Sequence, residues 1–328
     1  MEQTQATLSD QVIARHPLGS AGGSGNTLER VTLRDGRDVI CKRVSPEWDW
    51  ISRATNDRGR ALSMWKSGLF QRIPPAVHHA TIAVEPDDGA AWSVFMHDVS
   101  DALVPDDHRL DRASVRRILG AMADLHLAFW GERFPELCSL EDRYRLLSPR
   151  TARRERERGN PVGELTDRCW EAFSELVPDD IASAILTIVD RPRLLAAELE
   201  KCEQTLIHGD LRLSNLGFLD DRLVLIDWGE RTGTAPAPVE LASFLVFDGR
   251  RLDVSRDDVI SDFRGSYGDH FDETALQLAL IGGLVQLGCY PVLDMVRTGG
   301  DAARASAVSE LDWWTRTVAA ALETWSPI

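Results

Sequence analysis

Two short polar motifs, each placed directly after an apolar run, constrain the fold of this chain more than any other feature. The first reads H-x-D-x-x-x-x-N over His208–Asn215, and the second reads D-x-G over Asp227–Gly229. Leu206-Ile207 precedes the first motif and Leu223–Ile226 precedes the second. Apolar runs that end at turn residues predict strands. A short hairpin between the motifs would bring an aspartate, an asparagine and a second aspartate close together.

The order and spacing of these residues resemble the catalytic and metal loops of kinase-fold enzymes. The resemblance implies that Asp210 orients or deprotonates an acceptor hydroxyl. It implies that Asn215 and Asp227 hold Mg²⁺ against the phosphates of ATP. Arg212 is expected to stabilise charge near the γ-phosphate, and His208 is expected to brace the catalytic loop rather than to perform chemistry.

Within this fold, the sequence resembles the aminoglycoside phosphotransferase and choline kinase superfamily of small-molecule kinases more than protein kinases. His-Gly-Asp stands at 208–210 in place of His-Arg-Asp, Asp-Trp-Gly stands at 227–229 in place of Asp-Phe-Gly, and no Ala-Pro-Glu follows. Leu125–Gly131 resembles the Leu-His-x-x-Phe-Trp-Gly helix of the superfamily. Glu240-Leu241-Ala242 replaces the Asp-Leu-Ala that often follows the metal loop, which leaves the support of the catalytic loop open.

The resemblance implies an α+β, bilobal protein-kinase-like fold with a small antiparallel-sheet N-lobe and a larger, mainly α-helical C-lobe. We place the N-lobe at residues 1–98 and the C-lobe at residues 99–328. Residues 11–44 read as a strand, a glycine-rich turn and two strands joined at Asp35-Gly36. From Asp111 onward, apolar residues recur every three or four positions, which predicts helices.

The glycine-rich turn and the strand after it are the candidate phosphate site. The turn contains Gly22, Gly23, Ser24 and Gly25 but does not match G-x-G-x-x-G. Its backbone amides are predicted to cover phosphates, with a flexible β-turn as the alternative. Lys42 lies in Val-Ile-Cys-Lys, which is similar to the V-A-I-K strand of kinases, so we expect its ammonium to bind the α and β phosphates of ATP.

The carboxylate partner of Lys42 is less constrained by the sequence. Apolar residues between positions 50 and 64 follow a helical spacing, and Asp57 falls on the same face. This pattern predicts one helix that points Asp57 toward Lys42. Related enzymes often carry a glutamate there, and Glu47 and Asp49 are alternative partners.

A second hairpin is predicted from Val77 to Met96, with its turn at residues 85–89, and a hinge for adenine is expected where this hairpin ends. The sequence Met-His-Asp-Val at 96–99 occupies this place. Backbone groups around Met96 and Asp98, rather than their side chains, would bind adenine. An ordinary strand end is the alternative.

Composition excludes several classes of protein. The net charge of −15 argues against nucleic-acid binding, which needs a basic surface. The five cysteines are scattered without C-x-x-C spacing, which supports neither a disulfide framework nor a zinc site. The N-terminus has no apolar signal core, and the most apolar stretch, Leu276–Leu293, is interrupted by glycine, glutamine and proline. We therefore expect a cytoplasmic protein without a membrane partner.

The sequence thus predicts a Mg²⁺- and ATP-dependent phosphotransferase that acts on a hydroxyl of a small molecule. By resemblance, the favoured acceptor is an antibiotic. A metabolic kinase for choline, a sugar or an amino alcohol is one alternative, and a nucleotide-binding pseudokinase or regulatory module is another. The arginine-rich run at 150–158 favours a solvated helix or loop, with an anion site as its alternative.

Overall fold

The computed structural model of the protein describes residues 7–20, 23–288, 292 and 301–327. Its strands are β1 (Val12–Ser20), β2 (Thr27–Leu33), β3 (Asp38–Val44), β4 (Val77–His78), β5 (Thr81–Pro86), β6 (Trp92–Met96), β7 (Thr205–Ile207), β8 (Leu216–Leu219), β9 (Arg222–Leu225) and β10 (Gly233–Ala235). Five of them form an antiparallel sheet in the order β1-β2-β3-β6-β5. A two-stranded sheet joins β10 to β7, and a three-stranded sheet in the order β4-β9-β8 pairs the early strand β4 in parallel with β9.

Turn chemistry explains the hairpins of the large sheet. Between β2 and β3, Gly36 adopts a φ of +85° and its amide donates to the carbonyl of Leu33 at 2.9 Å. Between β5 and β6, the amide of Asp87 donates to the carbonyl of Ala91 at 2.9 Å. Both hairpins lie where the sequence places turn residues. Alternation along β2 buries Val31 and Leu33 on one face of the sheet.

Most of the remaining described chain is helical. The helices are α1 (Trp50–Ala54), α2 (Arg60–Lys66), α3 (Leu69–Arg72), α4 (Arg112–Ala128), α5 (Leu140–Arg145), α6 (Pro149–Glu157), α7 (Pro161–Leu176), α8 (Asp179–Asp190), α9 (Arg193–Leu199), α10 (Pro238–Asp248), α11 (Arg256–Tyr267), α12 (Glu273–Leu287) and α13 (Asp301–Thr324). An antiparallel sheet followed by a mainly helical region confirms the predicted α+β class.

Helices α10 and α12 form the centre of the helical region. Both are buried along nearly their whole length, and they pack against each other. Helix α12 also contacts α8, α9 and α13, so its apolar residues are covered on all sides. Within the described ranges, no helix is long and apolar enough to cross a membrane.

The single helix expected from Trp50 to Met64 is wrong. Helix α1 ends at Ala54, and α2 begins at Arg60. Between them, Asn56 and Gly59 have φ values of +55° and +109°, which a continuous right-handed helix does not allow. The break moves Asp57 off the face on which the spacing had placed it.

Candidate active site

The catalytic-loop motif begins where β7 ends, and Gly209 fixes the direction of the chain. Gly209 has a φ of +88°. A Cβ atom there would lie 2.0 Å from the carbonyl oxygen of Arg231 and 2.1 Å from Nη2 of Arg143. Only glycine allows this close approach without displacing backbone. The tight turn places Asp210 at the start of the loop, directly after the buried strand.

Three side chains contact the carboxylate of Asp210. Arg231 Nη1 donates to Oδ1 at 2.6 Å, and Asn215 Nδ2 donates to Oδ2 at 3.0 Å. Arg212 Nε lies 3.5 Å from Oδ2. These contacts hold an acceptor-only carboxylate in one orientation. The predicted catalytic residue is therefore oriented by both loops, since Arg231 follows the D-x-G motif.

Glu240 on α10 binds the backbone of the catalytic loop. Its two carboxylate oxygens accept hydrogen bonds from the backbone amides of His208 and Gly209, both at 2.7 Å. Although burial opposes ionisation, the hydrogen bond and charge of His126 lower the pKa of Glu240. The glutamate thus provides the support that the Glu-Leu-Ala departure had left open.

His208 links the two motifs. Its Nε2 lies 2.9 Å from the carbonyl oxygen of Ile226, and its ring packs edge-on against Trp228 with a centroid distance of 4.7 Å. The ring has no exposed surface, and burial lowers its pKa. The amide of Ile226 also donates to the carbonyl of Asn215 at 2.9 Å. A side chain in this position can brace the loop but cannot reach a bound substrate.

Asp227 presents its carboxylate at the turn after β9. Its φ of +71° is unusual for a residue with a side chain, and its carboxylate contacts the ammonium of Lys42. Burial opposes ionisation, but the charge and hydrogen bond of Lys42, together with the charge of Arg212, outweigh it and lower the pKa of Asp227 to about 2. The carboxylate is therefore ionised at neutral pH.

Lys42 on β3 has a second carboxylate partner, Glu230. The Lys42 Nζ donates to Glu230 Oε1 at 3.0 Å, and the lysine side chain is only 10% exposed. Burial disfavours the ammonium, yet the charges of Asp227 and Glu230 raise the pKa of Lys42. Burial together with the negative charges of Asp227 and Asp49 raises the pKa of Glu230 to about 8, although Lys42 opposes this shift.

The expected pairing of Lys42 with Asp57 does not form. Asp57 Oδ1 instead accepts hydrogen bonds from the amides of Gly59 and Arg60, both at 2.8 Å, at the start of α2. These two amides engage the carboxylate because the chain leaves the helical path between Ala54 and Arg60. Asp57 is therefore corrected from a nucleotide-site residue to a structural one.

Asp49, one of the two alternative partners, does join the network around Glu230. Asn26 Nδ2 donates to Glu230 Oε1 at 2.9 Å and also contacts the carboxylate of Asp49. Asp49 caps α1 by accepting from the amide of Ser52 at 2.8 Å. Burial raises the pKa of Asp49. No hydrogen bond in the described chain links Glu47 to Lys42.

The glycine-rich turn is hydrogen-bonded to the first residue of α1. The carbonyl of Gly23 accepts from the indole of Trp50 at 2.8 Å, and the carbonyl of Ser24 accepts from the amide of Trp50 at 3.1 Å. Gly25 has a φ of +99°, and a Cβ there would lie 2.5 Å from the carbonyl oxygen of Trp48. Gly22 lies outside the described residues.

Met96 and Asp98, the two residues predicted at the hinge, differ in their surroundings. Met96 ends β6 and lines a small cavity together with Lys42, Asp227 and Glu230. The carboxylate of Asp98 accepts from Arg30 at 2.8 Å and from the hydroxyl of Ser100 at 2.7 Å. Met96 therefore adjoins the charged groups, whereas the side chain of Asp98 is occupied by local contacts.

Sequence reasoning missed four site residues. Glu230 and Arg231 directly follow the D-x-G motif, and this adjacency was the available signal. Asn26 and Arg143 carried no such signal, because their partners are distant in the sequence. Arg143 is buried on α5, and it donates to the carbonyls of Gly209 at 3.0 Å and Arg231 at 2.8 Å. It thereby joins the two loops that hold Asp210.

The donor set of the two loops fits Mg²⁺. The amide nitrogen of Asn215 donates a hydrogen bond to Asp210, so its amide oxygen is available to a cation. Asp227 contributes an ionised carboxylate. Mg²⁺ prefers such oxygen ligands and commonly takes only one or two of them from the protein, with phosphates and water completing the octahedron. Among the described residues, no cluster of three or more His, Cys, Asp and Glu side chains is arranged for a metal.

Comparison with known proteins places the chain in a family. Residues 19–277 match the model of APH, the phosphotransferase enzyme family. The chain belongs to this family. The matched range contains both polar motifs, Lys42 and Glu240, and members of the phosphotransferase family are small-molecule kinases that act on hydroxyl groups. No curated protein sequence matches the chain significantly.

Solved structures share the fold of this phosphotransferase over nearly its whole length. Choline kinase LicA from Streptococcus pneumoniae is 13% identical, with 94% of each chain covered and a TM-score of 0.51. A choline/ethanolamine kinase family protein from Mesorhizobium loti is 15% identical, with 94% of this chain and 91% of that chain covered and a TM-score of 0.51. A thermostable mutant of aminoglycoside phosphotransferase APH(4)-Ia, in a ternary complex with ADP and hygromycin B, is 12% identical, with 93% and 94% covered and a TM-score of 0.50.

Proposed function

We propose that this phosphotransferase transfers the γ-phosphoryl group of ATP to a hydroxyl of a small molecule in the presence of Mg²⁺. The observation that carries the proposal is the convergence of two motifs and a distant lysine. Asn215 binds Asp210, and Lys42 binds Asp227, although Lys42 and Asp227 lie 185 positions apart in the sequence. Phosphoryl transfer depends mainly on such positioning of charge.

Each group has a role that its chemistry supports. Asp210 accepts the proton of the attacking hydroxyl and orients its oxygen. Asn215 and Asp227 hold Mg²⁺, which neutralises phosphate charge when bound. Lys42 binds the α and β phosphates, and it must then release Asp227, so that the carboxylate becomes free for the cation. Arg212 stabilises charge near the γ-phosphate.

The nucleotide is proposed to lie between the sheet and the helical region. The turn at Gly23, Ser24 and Gly25 covers the phosphates, and backbone groups near Met96 bind adenine. This placement supports the division of the chain into an N-lobe, residues 1–98, and a C-lobe, residues 99–328. The ternary complex of APH(4)-Ia with ADP and hygromycin B supports the use of a nucleotide and a small-molecule acceptor in this fold.

A pseudokinase is the less favoured alternative. The four groups that handle phosphate and metal are all present, and two buried residues, Glu240 and Arg143, serve only to hold the catalytic loop. A regulatory module has no chemical need for this set. For the acceptor, both an antibiotic and a metabolite such as choline, a sugar or an amino alcohol are compatible with these residues.

The test is a phosphorylation assay with γ-labelled ATP on a panel of antibiotics, amino alcohols, sugars and phosphorylated or carboxylated alcohols. Mass spectrometry of the product identifies the acceptor. We expect transfer that requires Mg²⁺. A parallel melting experiment should show a larger stabilisation by ATP with Mg²⁺ than with EDTA. Absence of any Mg²⁺-dependent ATP effect in the wild-type protein would refute the proposal.

A further inference from the structure

A cavity of about 790 Å³ lies between α1, α5 and α6, and its walls are unusually basic. Five of its lining side chains are arginines: Arg53, Arg145, Arg150, Arg154 and Arg158. The acidic residues in the lining are Glu155 and Glu157. In a chain with a net charge of −15, this concentration of positive charge runs against the overall composition.

Three of these arginines have no acidic partner among the residues that the structure describes. Arg53 is paired with the buried Glu155 through Nε and Oε1 at 2.9 Å, and Arg145 is engaged by acids on its own helix. Within the described chain, Arg150, Arg154 and Arg158 form no ion pair, and all three are exposed. They recur every four residues, so Arg150 and Arg154 share one face of α6, and Arg158 follows directly after the helix on the same side. Like charges at this spacing repel one another, and an anion bound between them would offset this repulsion.

The cavity adjoins the back of the candidate active site. Helix α5 contributes Arg145 to the cavity and, two residues earlier, Arg143 to the catalytic loop. Asn56 also lines the cavity, and its neighbour Thr55 donates to the carbonyl of Glu230 at 3.2 Å. Helix α5 and the segment after α1 are therefore shared by the cavity and by the loops that hold Asp210.

We infer that the cavity binds an oxyanion and that this oxyanion is part of the acceptor. The acceptor class is a small alcohol that carries a phosphate or carboxylate group, which guanidinium groups bind through paired hydrogen bonds. The inference rests on the proposed kinase function and narrows its substrate. It disfavours choline and polycationic antibiotics, because both would be repelled by the unpaired arginines. A separate anionic effector would use the same chemistry, and the second experiment below distinguishes the two sources.

The first experiment measures anion binding directly. Isothermal titration calorimetry uses inorganic pyrophosphate with EDTA at constant ionic strength. The double variant Arg150→Gln/Arg154→Gln should weaken binding at least tenfold. The matched control Arg153→Gln/Arg168→Gln removes the same charge from exposed positions that do not line the cavity, and it should bind as the wild type does. Equal affinity of the two double variants for pyrophosphate would overturn the site. It would also be overturned if Lys42→Ala abolished pyrophosphate binding and Arg150→Gln/Arg154→Gln did not.

The second experiment connects the cavity to the acceptor. Steady-state kinetics compare phosphorylated and carboxylated alcohols with neutral and cationic ones in the wild-type protein. We expect the anionic alcohols to be used, with KM for the acceptor at least tenfold higher in Arg150→Gln/Arg154→Gln and with kcat and KM for ATP unchanged. Preferred use of a cationic acceptor, or an unchanged acceptor KM in the double variant, overturns the inference. If no alcohol is phosphorylated, the kinase proposal fails, whereas the pyrophosphate titration still reports on the site.

Discussion

The ammonium of Lys42 donates to the carboxylate of Glu230 at 3.0 Å, three positions after the carboxylate of Asp227 that it also contacts. The lysine of the large sheet is thus held by the metal loop rather than by a neighbouring helix. Asn26 Nδ2 donates to the same Glu230 oxygen at 2.9 Å. Glu230 therefore remains a partner for Lys42 when Asp227 is taken by a cation.

Glu230→Ala tests this arrangement. Loss of the carboxylate leaves Lys42 without its second partner, and a hydrogen bond to a charged group contributes about 1.5–3 kcal/mol. We expect kcat/KM for ATP to fall by roughly 10- to 100-fold, since about 1.4 kcal/mol corresponds to a factor of ten. Steady-state kinetics with varied ATP check this outcome. Lys42→Ala should be more damaging, and wild-type kinetics for Glu230→Ala would remove Glu230 from the nucleotide site.

Asp57→Ala tests whether Asp57 contributes to the stability of the fold or to the use of ATP. The side chain accepts two backbone hydrogen bonds at the start of α2, and each such hydrogen bond typically contributes about 0.5–1.5 kcal/mol. We expect a lower free energy of unfolding in urea and unchanged ATP kinetics. A large rise in KM for ATP without a loss of stability would return Asp57 to the nucleotide site.

The sequence predicts contacts between residues that are close in the chain better than contacts between distant residues. Asp210 and Asn215 lie five positions apart on one loop, so the motif that carries the family resemblance contains both residues. The predicted pairing of Lys42 with Asp57 depended instead on one continuous helix, and helical periodicity does not detect the break between Ala54 and Arg60. Gly59 was a signal for this break, because its φ of +109° does not fit a right-handed helix.

The pH dependence of stability should report on Glu230. Its pKa rises from the ordinary 4.5 to about 8 in the folded protein, so the folded state holds a proton that the unfolded state releases between these values. Stability must therefore fall as the pH rises through this interval. Glu230→Gln cannot titrate. We expect the melting temperature of Glu230→Gln minus that of the wild type, measured by calorimetry, to increase from pH 5 to pH 9. A difference that does not change with pH would contradict the shifted pKa.

Glu240→Gln should damage the catalytic loop without touching substrate. The glutamine has a single acceptor oxygen for two backbone amides, and its amino group faces one of them. We expect a loss of about 1.5–3 kcal/mol in the free energy of unfolding and a lower kcat, with KM for ATP near wild type. Denaturant titration and kinetics measure the two effects. Unchanged stability would show that the buried carboxylate does not hold the loop.

Asp210→Asn tests whether Asp210 performs catalysis or only holds the loop. The asparagine keeps one oxygen that can accept from Arg231, so the protein should fold, with a loss of about 1–3 kcal/mol because a buried guanidinium loses its charged partner. Proton acceptance disappears with the charge, and general-base catalysis typically contributes about 10²- to 10⁴-fold. We expect phosphoryl transfer per folded molecule to fall by that factor while calorimetry shows ATP binding near wild type. Wild-type turnover in a folded Asp210→Asn variant would exclude Asp210 as the catalytic base.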